Sequence, residues 1–561
     1  MWFKRQASRV ILALTLGVFA SVSAAGSVLY VDDDAAAGGN GESWDTAYRF
    51  LQDALTDAAK GDVSEIRVAQ GVYTPDRDEA EPKGTGNRFE SFDLLPDVQL
   101  IGSYAGLGAS DPDARDIQLY ETILSGDLLG DDEPDFENND ENSYHVVYIE
   151  SWGPASAITL DGLIIRGGNA NLKGAGQIDK RGGGILNYYK GLLTIVDCTF
   201  VRNWASRWGG AVYYQGSCCS TDPTFLRCTF LNNHANEGGA YMTTVGAVTT
   251  EMIECQFLQN SAVWGGAIKA RLSANVVLDR CLFEENSASV EGGALWLETH
   301  NATEAHRSVF LRNSAVKGGA LFGRAIVENC LFAQNTANQV GGVYYGDEVN
   351  EGNAYLLMVN CTLADNSAQS GSGGAIRTGK GEVDLRNCIL WGNSDSDGMT
   401  ESSQIFVDDG TVVTVFYSCI QGLTGRLGGE GNIGIDPLFT DPQAEDYRLW
   451  PGSPCIDAAN NGYEPQSATD VDGNPRFVDD PCSDDTGSGN SPLVDMGSYE
   501  FQCTSCDLDG STAVDQTDLV DLLSSWGSCI DPQDCPADFD GDGNVGASDL
   551  LILLANWGPC P

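Results

Sequence analysis

The sequence contains few basic residues for its length. Only 31 lysine and arginine residues stand against 80 aspartate and glutamate residues among 561, and the formal net charge is −49. A chain with so few cations has no basic face to neutralise phosphate groups, which excludes general nucleic-acid binding. The charge also disfavours a polyanionic ligand unless calcium bridges the two negative surfaces. The simplest role for this charge is solubility in a salty or calcium-rich exterior.

Histidine is also scarce. The four histidines are His145, His234, His300 and His306. None of them lies in a zinc-binding or nucleophile-activating motif. A single Cys-x-x-Cys pair at 503–506 has no second pair at zinc spacing. The sequence therefore shows no standard metallohydrolase or catalytic-triad signature, and any catalytic residues stay unknown at this stage.

Long apolar runs are absent after the first residues. The segment 10–20 is apolar, follows a basic start and precedes small residues at 22–24. This order predicts a secretion signal over residues 1–25. The run is too short for a stable membrane span and no other candidate follows it. We therefore expect an exported, soluble protein at the cell surface or outside the cell, without a transmembrane segment.

The sequence does contain one short motif that is repeated between residues 198 and 393. Each copy resembles Cys-x-Phe-x-x-Asn, and most copies are followed by Gly-Gly-Ala and an apolar residue. The copies are spaced by 22 residues (Ser308 to Cys330) to 31 residues (Cys330 to Cys361). Such a period is typical of a stacked solenoid, in which a repeat buries its apolar face only against its neighbours.

Within each copy the apolar residues alternate, which predicts short strands bounded by Gly-Gly and Asn-rich turns. No copy contains a long helix, so we expect about twelve rungs of parallel strands, each about 4.8 Å above the last. Like residues then stack into ladders, with Cys and Phe facing the interior. The Cys ladder comprises Cys198, Cys228, Cys255, Cys281, Cys330, Cys361, Cys388 and Cys419. The Phe ladder comprises Phe200, Phe230, Phe257, Phe283, Phe310 and Phe332.

A third ladder consists of asparagines at the end of each phrase. Its members are Asn203, Asn233, Asn260, Asn286, Asn313, Asn335, Asn366 and Asn393. We interpret it as a turn ladder, because asparagine tolerates left-handed backbone and its amide can bridge rungs.

The paired FxxN and GGA[ILV] phrases resemble the repeats of polymorphic outer-membrane and autotransporter proteins. The resemblance covers roughly residues 27–500, and the stretch LDGLIIRGGNA at 160–170 is similar to the entry into such repeats. It implies an all-β fold, a right-handed parallel β-helix of the pectin-lyase type. That fold hosts lyases, hydrolases, adhesins and inert surface proteins, so the resemblance does not select an activity.

The β-helix is expected to occupy residues 26–502, with both ends covered. Apolar residues recur at helical spacing over 43–60, which predicts an amphipathic capping helix. Residues 420–502 resemble the terminal segment of secreted bacterial β-helix proteins of the choice-of-anchor Q type, on the phrases SPCIDAAN, DVDGNPR and VDMGSYEF. We interpret that segment as the C-terminal cap.

Seventeen cysteines in an exported chain suggest disulfides. The ladder cysteines are poorly placed for them, because stacked Cβ atoms lie one rung apart and a disulfide prefers roughly 3.8 Å. We interpret these as buried thiols that pack as small apolar groups. The better disulfide candidates are Cys455, Cys482, Cys503, Cys506, Cys529, Cys535 and Cys560.

The C-terminal residues 503–561 contain two acidic loops, each followed by an apolar segment at helical spacing. The ligand spacing of both loops is that of an oxygen-lined Ca²⁺ site. The first loop offers Asp507, Asp509, Ser511, Asp515 and Asp518. The second offers Asp538, Asp540, Asp542, the backbone carbonyl of Asn544, and Asp549. With the better ligand set, the second loop is expected to bind Ca²⁺ more tightly.

Duplicated loop-helix halves of this kind resemble a type I dockerin. The resemblance implies a small α-helical, calcium-dependent domain that docks to a cohesin-like protein. The pairs before the last ligand, Gln516-Thr517 and Ala547-Ser548, depart from the Ser-Thr pair of many dockerins. The departure puts recognition of a cohesin in doubt, whereas the calcium ligands are retained.

Two residue columns are predicted on the outside of the coil, counted from each Gly-Gly pair. The third residues after it include Tyr213, Lys269, Trp296, Phe322, Tyr345 and Arg377. The fifth residues include Arg271, Glu298, Arg324 and Asp347, which alternate in charge. Aromatic faces stack on sugar rings, and Arg and carboxylates recognise hydroxyls or uronates. The alternative is an exterior stack held together by aromatic and ion pairs between rungs.

These patterns leave three functions open. The first is a secreted or cell-surface protein that binds polysaccharide and is tethered through a calcium-dependent dockerin-like module. The second is a polysaccharide lyase or glycoside hydrolase, with Lys269, Arg271 or Arg324 as proton abstractor, or Glu298 and Asp347 as the carboxylate pair. The third is a passive adhesin or coat protein without a ligand groove.

Overall fold

Each repeat of the sequence forms one rung of a coil, and a full rung consists of four short strands in four sheets. The computed structural model describes residues 26–150, 157–172, 180–188, 191–216, 222–244, 248–272, 274–299, 303–347, 354–450, 452–464, 469–480, 483–502, 506, 508, 513–529, 535–539, 543–555 and 557–559. One rung runs through Leu192–Val196, Thr199–Val201, Trp204–Trp208 and Val212–Gln215, and neighbouring rungs pair in parallel. The protein is an all-β parallel β-helix solenoid.

Among the described residues the four sheets hold 13, 12, 8 and 11 strands. The first sheet comprises Ser27–Val31, Val63–Ala69, Gln99–Tyr104, Ala157–Asp161, Leu192–Val196, Thr224–Leu226, Thr249–Ile253, Asn275–Asp279, Thr303–His306, Ala325–Glu328, Ala354–Val359, Gly381–Arg386 and Val412–Phe416. The second sheet comprises Gly71–Tyr73, Thr122–Ser125, Ile164–Arg166, Thr199–Val201, Thr229–Leu231, Gln256–Leu258, Leu282–Glu284, Val309–Leu311, Leu331–Ala333, Thr362–Ala364, Ile389–Trp391 and Cys419–Ile420.

The other two sheets complete each rung. The third sheet comprises Asn169–Ala170, Trp204–Trp208, His234–Glu237, Ser261–Trp264, Ser287–Glu291, Ser314–Lys317, Thr336–Val340 and Ser367–Ala368. The fourth sheet comprises Phe92–Asp93, Val147–Ile149, Ile185–Asn187, Val212–Gln215, Tyr241–Thr244, Ile268–Leu272, Leu295–Thr299, Leu321–Gly323, Tyr344–Gly346, Ile376–Thr378 and Ile405–Val407. The twelve strands of the second sheet agree with the predicted number of rungs.

Helices are few and short in the part of the chain that the structure describes. The α-helices are α1 (Leu51–Ala58), α2 (Glu401–Gln404), α3 (Gln516–Ser524) and α4 (Ala547–Ala555). The 3-10 turns are Trp44–Thr46, Pro134–Phe136, Pro442–Ala444 and Asn461–Tyr463. Among the described residues, no helix is both long and apolar enough to cross a membrane.

Phenylalanine rings stack face to face along the inside of the second sheet. The register pairs Phe200 with Phe230 and continues one rung at a time to Phe332. The centroids of successive rings lie 4.6–4.8 Å apart, with planes within 9° of parallel. Isolated ring pairs prefer offset or edge-on geometry, so the spacing of the strands imposes this arrangement. The predicted Phe ladder is confirmed.

The ladder cysteines are buried free thiols, as predicted. Their Sγ atoms donate to backbone carbonyls, as Cys255 does to the carbonyl of Phe225 at 3.6 Å. Burial raises the pKa of the Cys198 thiol to about 12, which suppresses the reactive thiolate. In the one copy without cysteine, Ser308 satisfies its hydroxyl by donating to the carbonyl of His306 at 2.8 Å.

The asparagine ladder joins neighbouring rungs through buried amides. The backbone N–H and the Nδ2 of Asn233 both donate to Oδ1 of Asn260 at 3.0 Å, and Nδ2 of Asn260 donates to the carbonyl of Phe230 at 2.9 Å. The bridging role is confirmed, but the backbone interpretation is wrong. The left-handed residue is the one before the ladder position, such as Gln259 with φ of 56°.

The Gly-Gly turns allow adjacent rungs to approach closely between the third and fourth sheets. Gly265 has φ of +66°, which favours glycine. A Cβ atom on Gly266 would lie 2.0 Å from the carbonyl oxygen of Gly293 in the next rung. Side chains are therefore excluded from this corner, which explains why the pair recurs in nearly every copy.

The helix at the N-terminal end is shorter than predicted. The sequence predicts one helix over 43–60, whereas the structure has a 3-10 turn at Trp44–Thr46 and then α1. The reason is that Tyr48 pairs with the first strand, accepting from Asp32 N–H and donating to the carbonyl of Tyr30. The apolar face of α1 is buried in the main core, as expected of a cap.

The segment after the last rung does more than cover the end of the coil. Leu423 and Leu427 pack against the main core. Beyond them, the antiparallel strands Phe439–Asp441 and Asp446–Leu449 lead the chain back along the coil. There Tyr447 and Tyr499 pack against Leu331, Ala333 and Ala364 on the outside of the second sheet.

The disulfide predictions have mixed outcomes. Cys529 and Cys535 form a disulfide in the C-terminal residues. Cys455 is instead a fully buried free thiol beside Cys419, so its prediction is wrong. Its neighbour is a ladder cysteine, so Cys455 extends the thiol packing of the coil. Cys482, Cys503 and Cys560 lie outside the described residues.

We predict that Asn335→Ala lowers the free energy of unfolding by about 2–4 kcal/mol. The substitution removes the acceptor of the Asn313 N–H and the donor to the Phe310 carbonyl, and both groups stay buried. Denaturant-induced unfolding followed by circular dichroism measures the change. Asn338→Ala, on an exposed side chain of the strand that directly follows Asn335, is the matched control. Equal midpoints for the two variants would contradict a structural role for the ladder.

Candidate functional site

One row of side chains on the fourth sheet faces away from the main core. Its members, in register from rung to rung, are Tyr213, Met242, Lys269, Trp296, Phe322, Tyr345 and Arg377. Leu295 and Leu297, on either side of Trp296, belong to the main core. The alternation along each strand therefore turns this outer row to the exterior. The grouping agrees with the sequence prediction.

The outer row is nonetheless covered. The exposed fractions of Trp296, Phe322 and Tyr345 are 8%, 5% and 9%. The Trp296 and Phe322 rings stack with centroids 5.5 Å apart and planes 11° apart. Rings one rung apart fill the space between them, which corrects the expectation of ring faces open to a sugar. Tyr213 is equally covered, in a separate cluster nearer the N-terminus.

A second column flanks the outer row at the corner with the third sheet. This flanking column consists of the residues directly before each Gly-Gly pair. Its members are Trp208, Glu237, Trp264, Glu291, Lys317 and Val340. Sequence reasoning missed these residues, although their fixed position before Gly-Gly was a usable signal. The turn brings them over the outer row of the adjacent strand.

Lys269 lies at the centre of the contacts between the two columns. Its Nζ is 2.8 Å from Oε2 of Glu237. The same Nζ lies 3.8 Å from the ring centroid of Trp296 and 5.0 Å from that of Trp264. Trp208 Nε1 also donates to Glu237, at 3.0 Å. One carboxylate and two aromatic faces thus replace water around the buried ammonium group.

Arg271 links this cluster to the solvent. Its Nε is 2.9 Å from Oε2 of Glu298, and its Nη1 is 3.7 Å from Oε2 of Glu237. The Arg271 side chain is 32% exposed, whereas that of Glu298 is 5% exposed. Arg271 is therefore a group through which the cluster can meet a ligand from outside.

The pKa values reflect the competition between burial and pairing. For Glu237, burial acts to raise the pKa, but Lys269, Trp208 and Arg271 outweigh it and the pKa falls below its usual range. For Lys269, burial lowers the pKa, although Glu237 opposes the change. We infer that the carboxylate stays ionised at neutral pH, because its ionised form has three stabilising partners.

The remaining predicted residues lie further along the coil. Asp347 Oδ2 accepts from the Tyr345 hydroxyl at 2.9 Å. Arg377 pairs with Asp408 at 3.0 Å. Arg324 lies 5.7 Å from the ring centroid of Tyr355, with its side chain partly exposed. The side chains of Asp347 and Arg324 thus contact local aromatic partners.

This geometry is better suited to binding than to proton transfer at Lys269. A proton abstractor must reach its substrate, and the Lys269 side chain is 5% exposed and paired with Glu237. Glu298 is likewise buried and bonded to Arg271. Arginine side chains at the edge of the cluster present fixed donors, which suit carboxylate or hydroxyl groups of a polymer.

The C-terminal acidic loops show a repeated arrangement of carboxylates. Asp518 accepts from the N–H groups of Leu508 and Asp515, both at 2.7 Å. Asp549, at the equivalent position, accepts from Phe539 and Gly546, again at 2.7 Å. Both carboxylates are fully buried. The two halves therefore fold alike, each placing a carboxylate at the start of its helix.

Part of the expected ligand set can be compared with a calcium site. Asp507, Asp509, Ser511, Asp540 and Asp542 lie outside the described residues. Oδ1 of Asp538 is buried without a hydrogen-bond partner among the described residues, and Oδ2 accepts from Gly543 at 2.9 Å. An oxygen without a donor fits a hard cation such as Ca²⁺. Cys529 and Cys535 also lie close to Asp538, but their disulfide removes them as ligands.

Comparisons with known proteins bear on the fold. The family described as the right-handed β-helix region matches residues 183–350. The solved structure of pectate lyase Pel9A is 12% identical to this chain, with a TM-score of 0.40, and the match covers 85% of this chain and 96% of the lyase. No curated protein matches the sequence. The family match supports a right-handed coil.

We predict that Lys269 and Glu237 stabilise the protein jointly. In a double-mutant cycle with Lys269→Met and Glu237→Gln, the expected coupling energy is about 1–3 kcal/mol, because either single change removes the nearest opposite charge of the other buried group. The midpoints of denaturant-induced unfolding measure it. The exposed pair Lys60 and Asp57 is the control, with an expected coupling below about 0.5 kcal/mol. Additive effects at Lys269 and Glu237 would show that the pair does not act as a unit.

Proposed function

We propose that this protein is exported and binds polysaccharide along the outer face of the fourth sheet. The observation that supports the proposal is the rigid, partly exposed set of arginines beside buried partners. Arg271 and Arg377 have side chains 32% and 28% exposed, each fixed by a carboxylate. A fixed guanidinium loses little side-chain entropy when it binds carboxylate or hydroxyl groups.

The direction of this face suits a linear polymer. The outer row runs along the coil axis, and each rung adds one set of side chains at the strand spacing. A polysaccharide chain laid along the axis can therefore meet similar groups at successive rungs. Because the rings of Trp296 and Phe322 are covered, recognition is assigned to the charged edge and not to ring stacking.

The domain organisation is part of the proposal. Residues 1–25 act as the secretion signal, 26–502 as the β-helix with its caps, and 503–561 as a dockerin-like module. Each loop of the module would hold one Ca²⁺, with Asp518 and Asp549 as the last ligands of the first and second loops. The module would tether the β-helix to a cohesin-like partner at the cell surface or outside the cell.

A passive coat or adhesive protein is the second candidate. The coverage of Trp296, Phe322 and Tyr345 favours it, because a stack that satisfies itself needs no ligand. The lyase and hydrolase alternatives have weaker support at Lys269 and Glu298, because both side chains are closed off from solvent. Release of reducing sugars or unsaturated products from a polysaccharide panel distinguishes an enzyme from both other functions.

We predict that Arg271→Ala and Arg324→Ala weaken binding to acidic glycans more than to neutral ones. The expected loss is about tenfold or less per arginine at low salt, and it shrinks as salt screens the charge. A glycan array followed by titration of the best ligand measures it. Arg386→Ala is the matched control, since this strand arginine of the first sheet has a 34% exposed side chain. If the wild type binds no glycan on a broad array, the passive coat function is favoured.

We also predict that residues 503–561, expressed alone, fold only when Ca²⁺ is present. The described core of this region is small, comprising Cys506, Val514, Leu522, Ala537, Val545 and Leu553. Such a core does not suffice without bound metal. Far-ultraviolet circular dichroism with calcium or chelator measures helix content. Asp538→Ala should impair the transition more than Asp507→Ala, and equal helicity with and without calcium would contradict the prediction.

A further inference from the structure

A cluster of carboxylates lies in the terminal segment and shares no residue with the outer row or the C-terminal loops. One oxygen each of Asp457, Asp479 and Asp485 lies within 4.8 Å of the others. Asp457 is part of the phrase SPCIDAAN, and the other two come from the chain that follows DVDGNPR. Within the described part of the chain, none of the three forms an ion pair with a lysine or arginine.

Asp457 is the unusual member of the cluster, because its carboxylate is fully buried. Oδ2 accepts from the N–H of Asp480 at 3.1 Å. Oδ1 is buried as well, and no described residue donates a hydrogen bond to it. Burial, together with the charges of the neighbouring aspartates, raises the pKa of Asp457 to about 6. An ionised oxygen without a donor is unfavourable unless a cation or another ligand meets it.

The surrounding backbone holds the cluster in shape. The N–H of Asp457 donates to Oδ1 of Asp495 at 2.8 Å. The carbonyl of Asp457 accepts from the N–H groups of Thr486 and Gly487 at 3.1 and 3.0 Å, which places Asp485 beside it. Ser491 Oγ donates to Oδ1 of Asp479 at 2.7 Å. These hydrogen bonds hold the loops that carry the three carboxylates together.

The set of three carboxylates favours calcium among the common divalent cations. Ca²⁺ binds oxygen at about 2.3–2.6 Å, so two oxygens on the same ion lie at most about 4.6–5.2 Å apart. Oxygens that all lie within 4.8 Å of one another can therefore share one Ca²⁺ ion. Mg²⁺ demands near-ideal octahedral geometry and usually keeps several waters, so it is commonly bound by only one or two carboxylates. The all-oxygen donor set also disfavours zinc, which prefers nitrogen and sulfur.

We propose that Asp457, Asp479 and Asp485 bind a Ca²⁺ ion that fastens the terminal segment. The ion joins the buried turn at Asp457 to two otherwise repelling carboxylates on exposed chain. Water completes its coordination on the exposed side, as calcium sites commonly allow. This site is separate from the C-terminal loops and does not depend on their function. It stabilises the part of the chain that returns along the coil.

The full-length chain with Asp507→Ala and Asp538→Ala, which impairs both C-terminal loops, is the background for the test. Equilibrium dialysis with Ca²⁺ counts bound ions, and calorimetry gives the Tm of the β-helix. We expect about one bound ion per chain and a rise in Tm of a few degrees. Asp479→Asn with Asp485→Asn should abolish both, without changing the fold, because both side chains are exposed.

Asp484→Asn, an exposed neighbour outside the cluster, is the matched control and should retain the ion and the Tm rise. Asp457→Asn should also lose the ion, and if it fails to fold, the exposed double variant decides the question. Absence of bound calcium in the background chain, or equal binding by the double variant and the control, overturns the proposal. If the background chain binds fewer Ca²⁺ ions than the wild type, that difference measures calcium binding by the C-terminal loops only.

Discussion

The structure depends on stacking each rung directly above the last at the spacing of paired strands. Every backbone group that pairs with the next rung requires the same chain path in both, so each position must repeat its residue type. The buried asparagine amides enforce this most strictly, since Asn260 accepts from Asn233 above it and donates to Oδ1 of Asn286. A residue that cannot do both would leave buried polar groups unpaired.

The same constraint shapes the outer face. Side chains that point outward also lie one rung apart, so large rings there cover one another, as Trp296 and Phe322 do. The Gly-Gly corner brings the residue before it, such as Glu237, against the outer row. The result is an exterior with its own packed clusters, in which charge is mostly paired. A ligand would meet the edges of these clusters, at Arg271 or Arg377, and not their centres.

The ends of the coil are covered by segments that do not follow the repeat, because no further rung stacks on them. At the N-terminal end, α1 covers the first rung with its apolar face. At the other end the chain turns back, and Tyr447 and Tyr499 pack on the outside of the second sheet. This return brings several carboxylates into low-exposure positions, including Asp457 and Asp495. Burial raises the pKa of Asp495 to about 7, which illustrates the electrostatic cost of covering the coil in this way.

Periodicity in the sequence was sufficient to predict the solenoid, the Cys, Phe and Asn ladders and the membership of the outer row, because a repeated rung converts spacing directly into position. It was insufficient for α1, which begins later than predicted because Tyr48 pairs with the first strand instead of continuing a helix. Periodicity also failed to predict the environment of Cys455. Its neighbour Cys419 is 36 residues away in sequence, and only the return of the chain brings the two thiols together. The coverage of Trp296 and the orphaned oxygen of Asp457 were likewise decided by tertiary structure. The environments of Trp296 and Asp457 depend on side chains that other segments of the chain bring close. The spacing of residues within one segment does not predict those contacts.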